Sequence, residues 1–86
     1  MKVKLKENII FKAMQWKGND IEITKFICEN TNIKEREIEI DGEYLNINVD
    51  DETCYAERFD YVVISDLYCN GLEILSPEMF NKIFEK

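Results

Sequence analysis

The stretch from Ile38 to Val49 constrains the fold more than any other part of the chain. Ile38-Glu39-Ile40 and Leu45-Asn46-Ile47-Asn48-Val49 alternate apolar and polar residues on either side of Asp41-Gly42. A period of two is the repeat of a half-buried β-strand, whose successive side chains point to opposite faces. Asp-Gly between two such runs signals a two-residue type I′ hairpin, because both loop positions need a positive φ that these residues tolerate. A loop at Asp41-Gly42 pairs Ile40 with Glu43 and Ile38 with Leu45, and keeps Ile38 and Leu45 on one face. The first strand is expected to run from Glu35 to Ile40. Glu35, Glu37 and Glu39 then stand on the solvated face, with Asn46 and Asn48 beside them.

The rest of the chain supplies elements to pack on this hairpin. Ile9–Trp16 reads as a strand with apolar residues on both faces, and is expected to be central with cover on both sides. Lys17-Gly18-Asn19-Asp20 is turn chemistry. A helix follows from about Asp20 to Glu29, with Asn19 and Glu22 at capping-box spacing and Ile23, Phe26 and Ile27 on one face. Asp50-Asp51-Glu52 forms a second acidic turn before a short strand, Thr53–Ala56. Tyr61–Ser65 is apolar on both faces and is read as central. Asn70-Gly71 turns the chain into a last strand, Leu72–Leu75. Ser76 caps a final helix with Pro77 at its first position, and Met79, Phe80, Ile83 and Phe84 form its apolar face. These elements make an α+β fold: a small antiparallel, partly rolled sheet of five to six strands with two short helices. With 86 residues, the chain 1–86 is expected to be a single domain.

Charge is distributed unevenly. Residues 1–34 carry seven Lys against four acidic residues, whereas residues 35–81 carry thirteen Asp or Glu against Arg36 and Arg58. The net charge is -7. A block this acidic repels phosphate backbones and attracts basic surfaces, so direct nucleic-acid binding by Lys2, Lys4, Lys6, Lys12, Lys17 and Lys25 is not expected. The usual alternative meaning of such charge is a solvated face that confers solubility.

The chain contains no histidine. This removes the commonest general base and the commonest metal ligand, and neither Ser nor Cys has a His to activate it. Catalysis is not expected, and no catalytic residue is assigned. Asp50-Asp51-Glu52 clusters hard oxygen ligands but lacks the alternate-position spacing and central Gly of a calcium loop. Cys28, Cys54 and Cys69 lack a Cys-x-x-Cys pair and a fourth ligand for zinc, so no metal and no cofactor is expected. An odd number of widely spaced cysteines suits a reducing, cytoplasmic setting. No run approaches the roughly 20 apolar residues of a membrane span, and no long apolar stretch follows the N-terminal lysines, so no secretory leader is expected.

The segment IIFKAMQWKGNDIEITKF resembles the opening of a family of small hypothetical phage and prophage proteins, with its Ala-x-Gln-Trp and Gly-Asn turn before a helix. SPEMFNKIFEK resembles their closing Pro-Asp-x-Phe helix, with Phe84 where they often carry Tyr. Their Gly-Asp-Tyr/Trp-Ile-Ile strand corresponds to Phe59-Asp60-Tyr61-Val62-Val63. Phe59 stands where that family has Gly, and the Cys before the last helix is absent. The likeness covers both ends of the chain and little of the acidic middle. It implies a fold and a phage origin rather than an activity.

Small acidic phage proteins are often inhibitors of host defence, and anti-CRISPR proteins commonly present carboxylates to a nucleic-acid channel. On that analogy the chain is expected to be an anti-CRISPR that binds a host effector nuclease with a basic channel, in the cytoplasm of the infected host. The expected contact residues are Glu35, Glu37, Glu39, Asp41, Glu43, Tyr44, Asp50, Asp51, Glu52 and Tyr55. Tyrosine among carboxylates on exposed strands is a common recognition surface for a basic partner. One alternative is a sponge for a nucleotide immune signal, which needs cations such as Lys12, Lys17, Arg36 or Arg58 near the phosphates. Another is an accessory phage protein with no role in defence. The sequence leaves homo-oligomer formation open.

Overall fold

The computed structural model describes residues 10–68 and 70–84. In chain order the elements are β1 (Lys12–Gln15), α1 (Asp20–Asn30), a 3-10 turn (Glu35–Glu37), β2 (Ile38–Ile40), β3 (Tyr44–Val49), β4 (Glu52–Glu57), β5 (Tyr61–Ile64), β6 (Leu72–Leu75) and α2 (Pro77–Ile83). Helices and antiparallel strands coexist, so the α+β expectation holds. The six strands form two three-stranded sheets, ordered β1-β5-β6 and β2-β3-β4. Neither is a closed barrel.

The core lies where α1 and the two sheets meet. Leu45, Ile47 and Ala56 from the β2-β3-β4 sheet join Val62, Ile64 and Leu72 from the other sheet, with Ile23 and Ile27 of α1, Trp16 and Ile33. Trp16, Ile23, Ile27, Leu45, Ile47 and Val62 are fully excluded from solvent. Each such side chain contributes about 1.5–3 kcal/mol relative to an exposed position.

β5 is the central strand that its two apolar faces predicted, pairing with β1 on one side and β6 on the other. Val62 and Ile64 face the shared core. On the opposite face, the Phe80 ring of α2 stacks on Tyr61 at 3.8 Å between centroids and 4° between planes. α2 begins as the sequence reads: Ser76 Oγ accepts from Met79 N at 3.2 Å, and Pro77 takes the first turn. Its predicted apolar face is only partly used. Phe80 and Phe84 pack against other rings, while Met79 and Ile83 remain 46% and 54% exposed.

Four expectations are corrected. β1 is an edge strand of its sheet among the described residues, with Ile10 and Phe11 exposed; Ile9, the expected first residue of this strand, lies outside them. The Asn19–Glu22 capping box does not form. Asn19 Oδ1 instead accepts from Lys17 N at 2.7 Å, and Asp20 Oδ1 accepts from Trp16 Nε1 at 3.0 Å. Burial of the indole makes that N–H seek a partner, and Asp20 supplies it.

The β2–β3 hairpin is displaced by one full pleat. Ile40 pairs with Leu45 and Ile38 with Ile47. Asp41 N donates to Tyr44 O, so Gly42 and Glu43 form the loop. Positive φ occurs at Gly42 alone, which is the type II′ pattern. The cause is the Asp41 carboxylate, whose Oδ1 accepts from Glu43 N at 3.1 Å and Tyr44 N at 2.8 Å. The slip is two residues on one strand, so the faces are conserved. A loop with positive φ at both positions, the type I′ pattern, occurs at Asp50-Asp51 instead.

Glu35 and Glu37 are not on a strand with Glu39. They lie on the 3-10 turn, where Glu37 Oε1 accepts from Lys34 N at 2.9 Å. A carboxylate three residues on offers this backbone a local partner in place of a ladder bond.

Candidate functional site

The pairing register decides which acidic residues share a surface. β3 sits between β2 and β4, and its inward residues Leu45, Ile47 and Val49 face Ala56, Cys54 and Glu52 of β4. The opposite face is open among the described residues. One cross-strand row on it runs Glu39–Asn46–Tyr55, and the next positions are Tyr44 opposite Glu57 and Asn48 opposite Thr53. Tyr44 and Tyr55 are diagonal neighbours whose rings meet edge to face, with centroids 6.1 Å apart at 88°. They are 38% and 62% exposed. The polar pair is used internally: Thr53 Oγ1 donates to Asn48 Oδ1 at 2.7 Å.

The ten expected contact residues therefore fall into separate groups. Glu39, Tyr44 and Tyr55 share the open face. Asp41 and Glu43 sit at the β2–β3 turn. Asp50 and Asp51 sit at the β3–β4 turn, at the other end of the six-residue β3, roughly 17–20 Å away along the strand. Glu52 registers with Val49 on the inward side, at the sheet margin. Glu35 and Glu37 belong to the 3-10 turn. Glu37, Asp50, Asp51 and Glu52 border one shallow cleft with Asn48 and Thr53. Among the described residues, no group of three Cys, Asp or Glu side chains converges to hold a metal ion.

Sequence reasoning missed Glu57, which completes the open face. The strand was expected to end at Ala56, and continuing the alternation from Tyr55 by one more step places Glu57 beside it. The two ion pairs among the described residues are Lys25–Glu29 at 3.8 Å and Lys82–Glu78 at 3.4 Å, both within helices. No carboxylate of the β2-β3-β4 sheet has an ion-pair partner among those residues.

Arg58, read from the sequence as a candidate phosphate-binding cation, and Phe59 tie their turn to Trp16. The Arg58 guanidinium lies 5.5 Å from the Trp16 ring centroid and donates to the Gly42 carbonyl. Phe59 adopts φ 79° while its N–H donates to Trp16 O at 2.7 Å, and its side chain is 53% exposed. Phe59 is thus a large apolar residue on a glycine-type backbone. A bulky non-glycine residue there is a genuine outlier.

Of the cations that a nucleotide site needs, Arg58 approaches the Gly18 turn that carries Lys17, while Lys12 and Arg36 lie on other elements. Lys12 Nζ donates to Asn30 Oδ1 at 2.9 Å, Arg58 is held as described, and Lys17 and Arg36 lie on separate turns. A cleft of about 730 Å³ is lined by Glu29, Glu37, Asp50 and Asp66 with asparagines, and no described Lys or Arg borders it. Burial raises the Cys28 and Cys54 thiols above their ordinary value, with Glu35 adding to the effect at Cys28 and Glu52 at Cys54. Thiols held protonated are poor nucleophiles at neutral pH. No helix is long and apolar enough to cross a membrane among the described residues.

Fold and face together define a class: an acidic α+β chain of two small antiparallel sheets, one of which shows an open face of carboxylates and tyrosines. No family model, curated protein or solved structure matches it.

Proposed function

We propose that the chain is a phage- or prophage-encoded anti-defence protein, an anti-CRISPR that binds a host effector nuclease and obstructs its basic nucleic-acid channel. It acts stoichiometrically in the cytoplasm of the infected host and is not an enzyme. One observation carries the reading. Residues 35–57 hold nine Asp or Glu against Arg36 alone; eight of them lie on the open face or the turns of a sheet whose other face is core, and Glu52 lies at its margin. A rigid negative surface complements the Lys and Arg that otherwise hold phosphates, and steers fast, salt-sensitive association.

The nucleotide-sponge alternative has no described cationic cleft to support it. An accessory phage role without defence function predicts no protection of phage against any host immune system.

The test is a pull-down with tagged protein from lysates expressing candidate effectors, at low and high salt. A basic nuclease retained at low salt and shed at high salt supports the reading and names the target. Retention of none, with a nucleotide co-purifying, overturns it in favour of the sponge.

A further inference from the structure

We propose that the open face of the β2-β3-β4 sheet is a docking site for an arginine of a basic partner protein, stacked on Tyr55 beside Tyr44 and paired with Glu57. The inference rests on the reading of the sheet as a protein-binding surface and specifies the chemistry that it recognises.

Tyr44 and Glu57 are direct cross-strand partners, so their Cβ atoms lie about 4.5–5.5 Å apart. Glu57 is also two residues along β4 from Tyr55, on the same face, at a separation of roughly 6.5 Å. One carboxylate is therefore flanked by two aromatic rings. Glu39 stands in the same row as Tyr55, beyond Asn46.

The rings meet at 88°, and Tyr55 leaves 62% of its surface to solvent. Among the described residues, neither Glu39 nor Glu57 has a cation within ion-pair distance. Arg58, next in sequence to Glu57, is turned away to Trp16 and Gly42.

A cation on this face meets a ring and a carboxylate at once. Arginine suits both better than lysine does. Its planar guanidinium stacks on an aromatic face within about 6 Å while its N–H edge bonds a carboxylate in the same plane. A lysine ammonium is more strongly hydrated and has no plane to stack. Charge complementarity selects a basic protein, and the rings select arginine within it.

The test titrates the intact protein with oligo-arginine and oligo-lysine peptides of equal length, read by calorimetry and by amide chemical shifts. The arginine peptide is expected to bind about fivefold more tightly, with shifts centred on Tyr44, Tyr55 and Glu57. Tyr55→Ile is expected to abolish the preference, and Tyr55→Phe, which keeps the ring, to retain it. Tyr55 is an exposed strand site, and both replacements suit a strand. Equal affinity for the two peptides, or a preference that survives Tyr55→Ile, overturns the proposal. The effector pull-down bears on the anti-defence reading alone. An arginine preference with an empty pull-down removes that reading and leaves the docking site standing, whereas a retained effector without arginine preference does the reverse.

Discussion

Arg58 sits over Trp16, with the guanidinium carbon 5.5 Å from the ring centroid. The same side chain reaches the Gly42 carbonyl of the β2–β3 turn, and its Nη1 lies 2.9 Å from where a Cβ on Gly18 would stand. One residue thus links three turns and joins the acidic hairpin to the other sheet.

Removing this link weakens the fold. Arg58→Ala is expected to cost about 1–2 kcal/mol, from a charged hydrogen bond and a cation–π contact at a solvent-exposed site. Arg58→Lys should recover less than half, because lysine cannot stack and reach Gly42 together. Urea denaturation of the three proteins measures both values.

Gly18 is required for its backbone as well as for space. Its φ is +89°, so Gly18→Ala is expected to cost about 1–2 kcal/mol in backbone strain. The steric conflict is with the end of a flexible side chain. The Gly18→Ala/Arg58→Ala pair should therefore recover little of the Gly18→Ala loss in a double-mutant cycle.

Phe59 occupies a left-handed backbone, with φ 79°. Phe59→Gly relieves about 1 kcal/mol of strain, offset in part by the greater freedom of glycine in the unfolded chain. The variant is expected to be as stable as the parent or up to about 1 kcal/mol more stable, a gain that ordinary exposed strand or turn positions do not show on substitution to glycine. A loss above about 1 kcal/mol in urea denaturation contradicts this account of the turn.

Alkaline pH is expected to destabilise the protein. Burial holds the Cys28 and Cys54 thiols above their ordinary 9.0 and the Tyr68 hydroxyl above its ordinary 10.0. The fold favours the neutral forms. Their contribution is fully present below the unfolded-state values and is lost as pH rises through the raised folded values. Denaturation midpoints should fall above pH 9, and Cys28→Ala with Cys54→Ala should flatten that decline.

Salt is expected to act in the opposite sense to a fold held by ion pairs. The two described ion pairs are exposed helix neighbours, worth about 0.3–0.5 kcal/mol each, while the carboxylates that crowd the β2-β3-β4 sheet have no ion-pair partner among the described residues. Screening relieves their repulsion, so the urea midpoint should rise with sodium chloride.

Local patterns were legible in the sequence where one physical signal acts alone. Ser76-Pro77 marks α2, Leu72–Leu75 is the last strand as read, and Leu45-Ile47-Val49 names the buried face of β3. Signals that compete were not. The Asp41 carboxylate captures two backbone N–H groups and moves the loop to Gly42-Glu43, which the Asp-Gly dipeptide alone does not disclose. Glu37 folds back on Lys34 and shortens β2. Ile10 and Phe11 made β1 look central, yet both are exposed. The division into two sheets depends on long-range pairing of β1 with β5, which no local pattern encodes. Of the contact residues, three fell on the open face together with the unforeseen Glu57. Six of the others are spread over turns at both ends of β3, and Glu52 lies on the inward side of β4.

The central claim is that a located acidic face, rather than net charge, binds a host effector. The decisive measurement is effector inhibition by two charge-reversed variants of equal net charge. One carries Glu39→Lys and Glu57→Lys on the open face, and the other carries Glu22→Lys and Glu29→Lys on α1. The face variant should lose inhibition by at least tenfold while the helix variant keeps it, with both folded by circular dichroism; a tenfold loss corresponds to about 1.4 kcal/mol. Equal loss in the two variants, or full inhibition by the face variant, contradicts the claim.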